Sequence, residues 1–248
     1  MQLQIREMQT AIYSLYPNDK VDGYRRLVRM LNQMRDLGKP VILTPTPSIQ
    51  MLKEPGVVER PIKELEGRKD LLQEFILLQH AYELAKTIKN MRNQLICTSD
   101  SVRLLARYCG HELAQEYFEV RVAEIGTDKQ RAYDYRMSRM IGKSWIEIGL
   151  SILDKLRKSG EESGKKVEED RKNAANLLKE GFRIIQFRSK HDWFVLRQHI
   201  DALEESCDSL GDELAGLYGA LRQLQLGPIW FEWLKVIDDK ANSRFLID

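Results

Sequence analysis

Gly142-Lys143-Ser144 carry the side chains of a phosphate-binding loop. Such a loop also needs a glycine five positions before the Gly-Lys-Ser, because glycine backbone amides wrap the phosphates. Met137 occupies that position. The tripeptide is therefore interpreted as part of an amphipathic helix rather than as a nucleotide-binding loop.

The four histidines do not have the spacing of the common metal sites. His111-Glu112 begins like a zinc-protease motif, but Gln115 stands where the second histidine is required one turn later. Di-iron bundles place a glutamate three residues before each ligating histidine. The residues at those positions are Leu77, Tyr108, Arg188 and Leu196. No metal and no other cofactor is expected.

One dipeptide fits hydrolytic chemistry. His191-Asp192 is an HD pair in a helical chain, and an HD-type metal phosphohydrolase also needs an upstream histidine and a downstream aspartate. Residues of the right types are His80 or His111 and Asp201 or Asp208. The simpler interpretation is that Asp192 caps the start of a helix beside Trp193. The chain is therefore expected not to be an enzyme.

Basic residues form two helix faces that could contact phosphates. The first face lies on a predicted helix over 129–148, and the second on a helix over 20–37. The candidate nucleic-acid-binding residues are Lys129, Arg131, Tyr135, Arg136, Arg139 and Lys143 on the first, and Arg25, Arg26 and Arg29 on the second. Guanidinium groups one turn apart can follow a phosphate backbone, and Tyr135 could stack on a base. The alternative is that these cations pair with neighbouring carboxylates.

A long apolar seam follows Trp193. Apolar residues recur there in alternating steps of three and four for more than four heptads, which is typical of a coiled coil. The candidate interface residues are Leu196, Ile200, Leu203, Leu210, Leu214, Leu217, Leu221 and Leu224. We favour an internal helical hairpin in which the partner is a helix over 165–188. A homo-oligomer formed through 193–224 is the alternative.

The elements that carry these residues are predicted to be helices throughout, so the fold class is all-α. Helices are expected over 2–15, 20–37, 62–96 and 111–125, and from about Asp128 to about Arg157. Residues 38–61 hold five of the seven prolines and are predicted to form an extended arm. The arm either wraps over the protein's own core or reaches to another chain.

A polar stretch over 159–164 is predicted to be a hinge. It separates two predicted parts of the chain. The first, over 1–158, is a bundle of long helices that includes the arm, and the second, over 165–248, is a C-terminal helical hairpin or coiled coil. A chain of 248 residues is long enough for one large or two small domains.

The composition is that of a folded protein with a charge-rich surface. Hydrophobic residues make up 43% and charged residues 31%, and the net charge is +2. The first residues mix Arg6 and Glu7 into apolar ones, which argues against a secretory signal. Apolar runs reach only four residues, as at 75–78, so no membrane span is expected. The three cysteines lack CxxC spacing, which is typical of reduced thiols in a cytoplasmic protein.

The sequence thus predicts a non-enzymatic assembly or adaptor subunit of a larger complex, in which nucleic acid is a candidate component. It would contact protein partners through the coiled coil and the arm. One alternative is a helical nucleic-acid-binding protein that uses its basic helix faces. The second alternative is the HD-type metal phosphohydrolase.

Overall fold

The structure is a computed structural model and describes residues 2–48, 56–125, 135–160 and 164–184. Helices account for most of these residues, and none of them forms a strand, so the predicted all-α class is confirmed. The helices are α1 (Gln2–Ala11), α2 (Pro17–Asp36), α3 (Gly56–Leu65), α4 (Lys69–Thr87), α5 (Met91–Tyr108), α6 (His111–Glu124), α7 (Tyr135–Ser159) and α8 (Lys165–Ile184). A short 3₁₀ turn, Ile12–Ser14, joins α1 to α2.

The chain divides into two compact units, and the division falls between Met140 and Ile141 within α7. The hinge predicted at 159–164 stays a prediction, because residues 161–163 and everything after Ile184 lie outside the described residues. The seam residues 196–224 also lie outside them. In the described helices, no segment combines the length and the apolar character needed to cross a bilayer.

Helix α4 lies at the centre of the first unit, and the neighbouring helices α2 and α5 both pack against it. It is buried almost all round, whereas α2 buries one stripe that includes Leu27, Val28 and Leu31. Helix α6 continues the layer by packing on α5. A helix that contacts several neighbours has little surface left for solvent, so even its polar side chains enter the core.

The single helix predicted over 62–96 is interrupted in the structure at two places. Residues 66–68 separate α3 from α4, and residues 88–90 separate α4 from α5. At the second break Lys89 adopts a φ of 54°, and the Asn90 side chain accepts a hydrogen bond from the backbone N–H of Asn93 at 3.0 Å. Asn90 is thus the N-cap of α5, a position at which asparagine is favoured. The continuing helical periodicity hid this start signal in the sequence.

The proline-rich segment is extended only in part. Residues 39–48 are non-helical, whereas residues 56–61, predicted to belong to the same arm, form the first part of α3. Pro61 is the sixth residue of that helix, so its missing N–H removes one hydrogen bond. Pro61 is buried together with Val58, Ile62 and Leu65, and this apolar burial offsets the lost bond.

The described part of the second unit is a close antiparallel pair of α7 and α8. A Cβ atom added at Gly149 would lie 2.9 Å from Leu178 Cγ and 3.1 Å from the Ala174 carbonyl oxygen. Such spacing requires a residue without a side chain at the contact. Helix α8, predicted to pair with the 193–224 helix, therefore packs on α7 in the described residues.

Replacing Gly181 by alanine is expected to destabilise the protein. The new Cβ would lie 2.7 Å from the Gly142 carbonyl oxygen and 2.8 Å from Ile146 Cγ1, so backbone would have to move. Overpacking of this kind costs about 1–3 kcal/mol and outweighs the gain of about 1 kcal/mol that alanine brings to a helix. Urea denaturation of the variant should show this loss. The exposed Asn176→Ala on the same helix is the control, and an unchanged Gly181→Ala midpoint would contradict the close contact.

Candidate functional site

Three polar side chains of the central helix α4 are buried, and each contacts a different part of the first unit. Gln73 accepts the Leu43 N–H at 2.9 Å and donates to the Val41 carbonyl, which attaches the extended segment. Glu74 pairs with Arg35 of α2. Gln79 accepts hydrogen bonds from α6. Buried polar groups need such partners, so these contacts set how the neighbouring helices pack on α4.

The extended segment is also held by α1 and by a histidine of α4. Gln9 Nε2 donates to the Pro45 carbonyl oxygen at 2.9 Å, and His80 Nε2 lies 3.0 Å from the Ser48 carbonyl oxygen. Leu43 is 3% exposed. In the described residues 39–48, the segment therefore lies on the core of its own chain.

A groove of about 270 Å³ runs between α2 and α5. Four arginines line it, together with two aspartates and a half-buried tyrosine. These residues are Arg25, Arg29, Arg103, Arg107, Asp36, Asp100 and Tyr108. Each helix contributes two arginines four positions apart, which places them about 6 Å apart along the axis. We call this feature the arginine groove.

Asp100 fixes one end of the arginine groove. Its Oδ2 accepts a hydrogen bond from Arg25 Nε at 2.9 Å, and its Oδ1 accepts one from Arg103 Nη2 at 3.2 Å. Arg25 is only 14% exposed, so it is held in place, whereas the side chain of Arg103 is 57% exposed. Arg29 and Arg107 are also exposed. Three guanidinium groups can therefore reach a ligand from solvent.

Next to the groove, in contact with its lining residues Asn32 and Tyr108, lies the pair formed by Arg35 and Glu74. Arg35 donates to Glu74 Oε1 and to Asn32 Oδ1, and its Cζ lies 4.9 Å from the centroid of the Tyr108 ring. Glu74 is 1% exposed, and its Oε2 has no hydrogen-bond partner among the residues that the structure describes. A buried carboxylate with one unsatisfied oxygen is costly to ionise.

The environment shifts the pKa of both groups. Burial raises the pKa of Glu74 to about 7, although the Arg35 guanidinium opposes this shift. Burial by itself would lower the pKa of Arg35, but the Glu74 carboxylate and Tyr108 outweigh it and raise that pKa. Arg35 is thus charged, and Glu74 titrates near neutral pH.

The structure brings together some of the predicted basic residues and not others. Arg25 and Arg29 line the arginine groove, whereas Arg26 is exposed and does not line it. The groove's other two arginines, on α5, were missed from sequence. The available signal was the spacing of Asp100, Arg103 and Arg107, which places three charged residues on one face of α5. An ordinary solvent-exposed helix face has the same pattern.

The predicted basic face of α7 is described only in part. Lys129 and Arg131 lie outside the described residues, and the side chains of Tyr135 and Arg136 are not described. Arg139 and Lys143 are half-buried rather than exposed. Burial lowers the pKa of Arg139.

The residues proposed for an HD-type metal site are mostly beyond the described ranges. His191, Asp192, Asp201 and Asp208 all lie there. Of the two upstream candidates, His80 is bonded to Ser48, and His111 is buried at the start of α6, 3.3 Å from Glu112 Oε1. Among the residues that the structure does describe, no three His, Cys, Asp or Glu side chains lie close enough to hold a metal ion.

A buried arginine in α6 also escaped sequence analysis. Arg121 is 1% exposed, and its Cζ lies 4.0 Å from the Tyr82 ring centroid and 5.5 Å from that of Tyr117. Its Nη1 donates to Glu124 Oε2 at 2.7 Å, and its Nη2 to Gln79 Oε1 at 3.0 Å. The available signal was Arg121 one turn after Tyr117 on the apolar side of α6. This cluster joins α4 to α6 and has a structural role.

Comparisons with protein-family models, with curated proteins and with solved structures found no match to this chain.

Proposed function

We propose that this chain is a non-enzymatic helical subunit of a nucleoprotein assembly, and that the arginine groove contacts the phosphate backbone of a nucleic acid. The observation that carries the proposal is the placement of four arginines around one groove by α2 and α5. Assembly with protein partners through the 193–224 seam stays a prediction of the sequence.

The charge of the groove supports an anionic ligand. Its lining has four arginines against two aspartates, a net charge of +2. Asp100 is already hydrogen-bonded to Arg25 and Arg103, so the exposed Arg29 and Arg107 carry most of the free positive charge. Guanidinium groups bind phosphate oxygens with paired hydrogen bonds and release counterions from a nucleic acid.

Replacing both Arg29 and Arg107 by glutamine is expected to weaken nucleic-acid binding by about 10- to 100-fold at low salt. The loss follows from removing two phosphate contacts, which should also make the log–log salt slope for a single strand shallower by about 1.4. Fluorescence anisotropy with labelled single-stranded and duplex oligonucleotides across a salt series measures both quantities.

The matched control is Arg26→Gln with Arg92→Gln. It removes one exposed arginine from each of the same two helices, but neither residue lines the groove. Binding of this control should stay within about twofold of wild type. Equal losses in the two double variants would show a diffuse charge effect, and wild-type protein that does not bind at low salt would refute the proposal.

A further inference from the structure

The buried Arg35–Glu74 pair lies next to the arginine groove, so a titratable carboxyl is close to the surface proposed to bind phosphates. Arg35 bonds to Glu74 on one side and to Asn32 on the other, and it lies over the ring of Tyr108. Asn32 and Tyr108 both line the groove. Arg35 therefore directly contacts two side chains that line the groove.

The carboxyl of Glu74 has few groups to stabilise its negative charge. From α2, Arg35 favours ionisation and Asp36 opposes it; from α4 itself, Asp70 opposes it; and from α5, Tyr108 contacts Arg35. Within the described ranges no group donates a hydrogen bond to Glu74 Oε2, and the side chain is 1% exposed. Burial thus brings its pKa to about 7, so the net charge of the pair changes near neutral pH.

We propose that protonation of Glu74 tightens the binding of phosphates in the arginine groove by leaving the positive charge of Arg35 uncompensated. This inference rests on the proposed function and adds a regulation to the same site. When Glu74 is neutral, the Arg35–Glu74 pair next to the groove is more positive by one charge. A bound phosphate favours that protonated state in turn, so binding takes up a fraction of a proton near neutral pH.

The test measures affinity for a single-stranded oligonucleotide without a terminal phosphate, whose diester groups keep one charge each over the range used. At constant low salt, wild-type protein is expected to bind about fivefold more tightly at about pH 6 than at about pH 8. The Glu74→Gln variant mimics the protonated state, so it should bind with the tighter affinity at both pH values. Glu64→Gln removes an exposed glutamate from α3 and should keep the wild-type pH dependence.

A second measurement uses wild-type protein only. Calorimetric titration at about pH 7 in two buffers of different ionisation enthalpy should show net proton uptake on binding. This readout does not depend on how well the Glu74→Gln variant folds, and circular dichroism checks that variant separately.

Three results would overturn the inference. The first is equal wild-type affinity at the two pH values without proton uptake, and the second is a Glu74→Gln variant that keeps the full pH dependence. Either leaves the proposed function standing, because the oligonucleotide still binds. The third is no binding by wild type at either pH, which removes the proposed function and this inference together.

Discussion

Replacing Arg121 by methionine is expected to lower the free energy of unfolding by about 3 kcal/mol. Methionine keeps an unbranched stem between Tyr82 and Tyr117, so the loss comes mainly from the guanidinium group. That group bonds to Glu124 and Gln79 and stacks on two aromatic rings. Its removal leaves the Glu124 carboxylate, only 24% exposed, without its cation.

Urea denaturation followed by circular dichroism measures this effect, and Arg60→Met is the control. Arg60 also pairs with a glutamate, Glu116, but both side chains are more than half exposed. Exposed pairs contribute at most about 1 kcal/mol. A similar small loss for Arg121→Met would mean that the buried cluster does not join α4 to α6 as the contacts indicate.

The Glu74→Gln variant is expected to become more stable relative to wild type as the pH rises. Its free energy of unfolding minus that of wild type should be about 2–3 kcal/mol larger at about pH 8 than at about pH 5. The reason is the pKa of Glu74, which is about 7 in the folded protein and has an ordinary value of 4.5. Between those values the folded chain holds a proton that the unfolded chain has released. This proton stabilises the folded wild-type protein. The stabilisation is complete below the ordinary pKa of 4.5 and is lost as the pH rises through the folded-state pKa of about 7.

Glutamine cannot ionise, so the variant should lose this component of the pH dependence. Denaturation midpoints of wild type and Glu74→Gln at several pH values measure the difference. Glu64→Gln, on the exposed side of α3, corrects for the general effect of removing one negative charge. Parallel stability curves for wild type and Glu74→Gln would show that the buried carboxyl does not titrate near neutral pH.

Much of the helical architecture could be predicted from local patterns. The 3–4 spacing of Leu27, Val28 and Leu31 is the local pattern behind the helix predicted over 20–37, and these residues are buried in α2. The helix predicted over 111–125 corresponds to α6, which follows Gly110 with its φ of 112°. These signals are local, because one helix turn and one backbone conformation are properties of a few consecutive residues. The break at residues 88–90 was missed because Ile88 and Met91 continue the apolar spacing across it. Gly67 lies in the break at residues 66–68 and is a helix-breaking signal that the prediction of one long helix did not use.

The candidate site depended on contacts between helices. Arg25 and Arg29 were visible as basic residues on α2, but Arg103 and Arg107 join them only because α4 holds α2 and α5 side by side. The number of residues between two helices in the sequence does not specify how far one helix is shifted along the other. That position follows from which side chains pack against α4.

The same reasoning applies to Glu74 and Arg121. Their residue types predicted solvent exposure, since charged side chains are rarely buried. The sequence determined that the described chain is helical and which residues of α2 face the core. Neighbours packed against α4 bury Glu74, and the rings of Tyr82 on α4 and Tyr117 on α6 cover Arg121. Burial depends on how many neighbours surround a position, so it was specified only when the helices packed together.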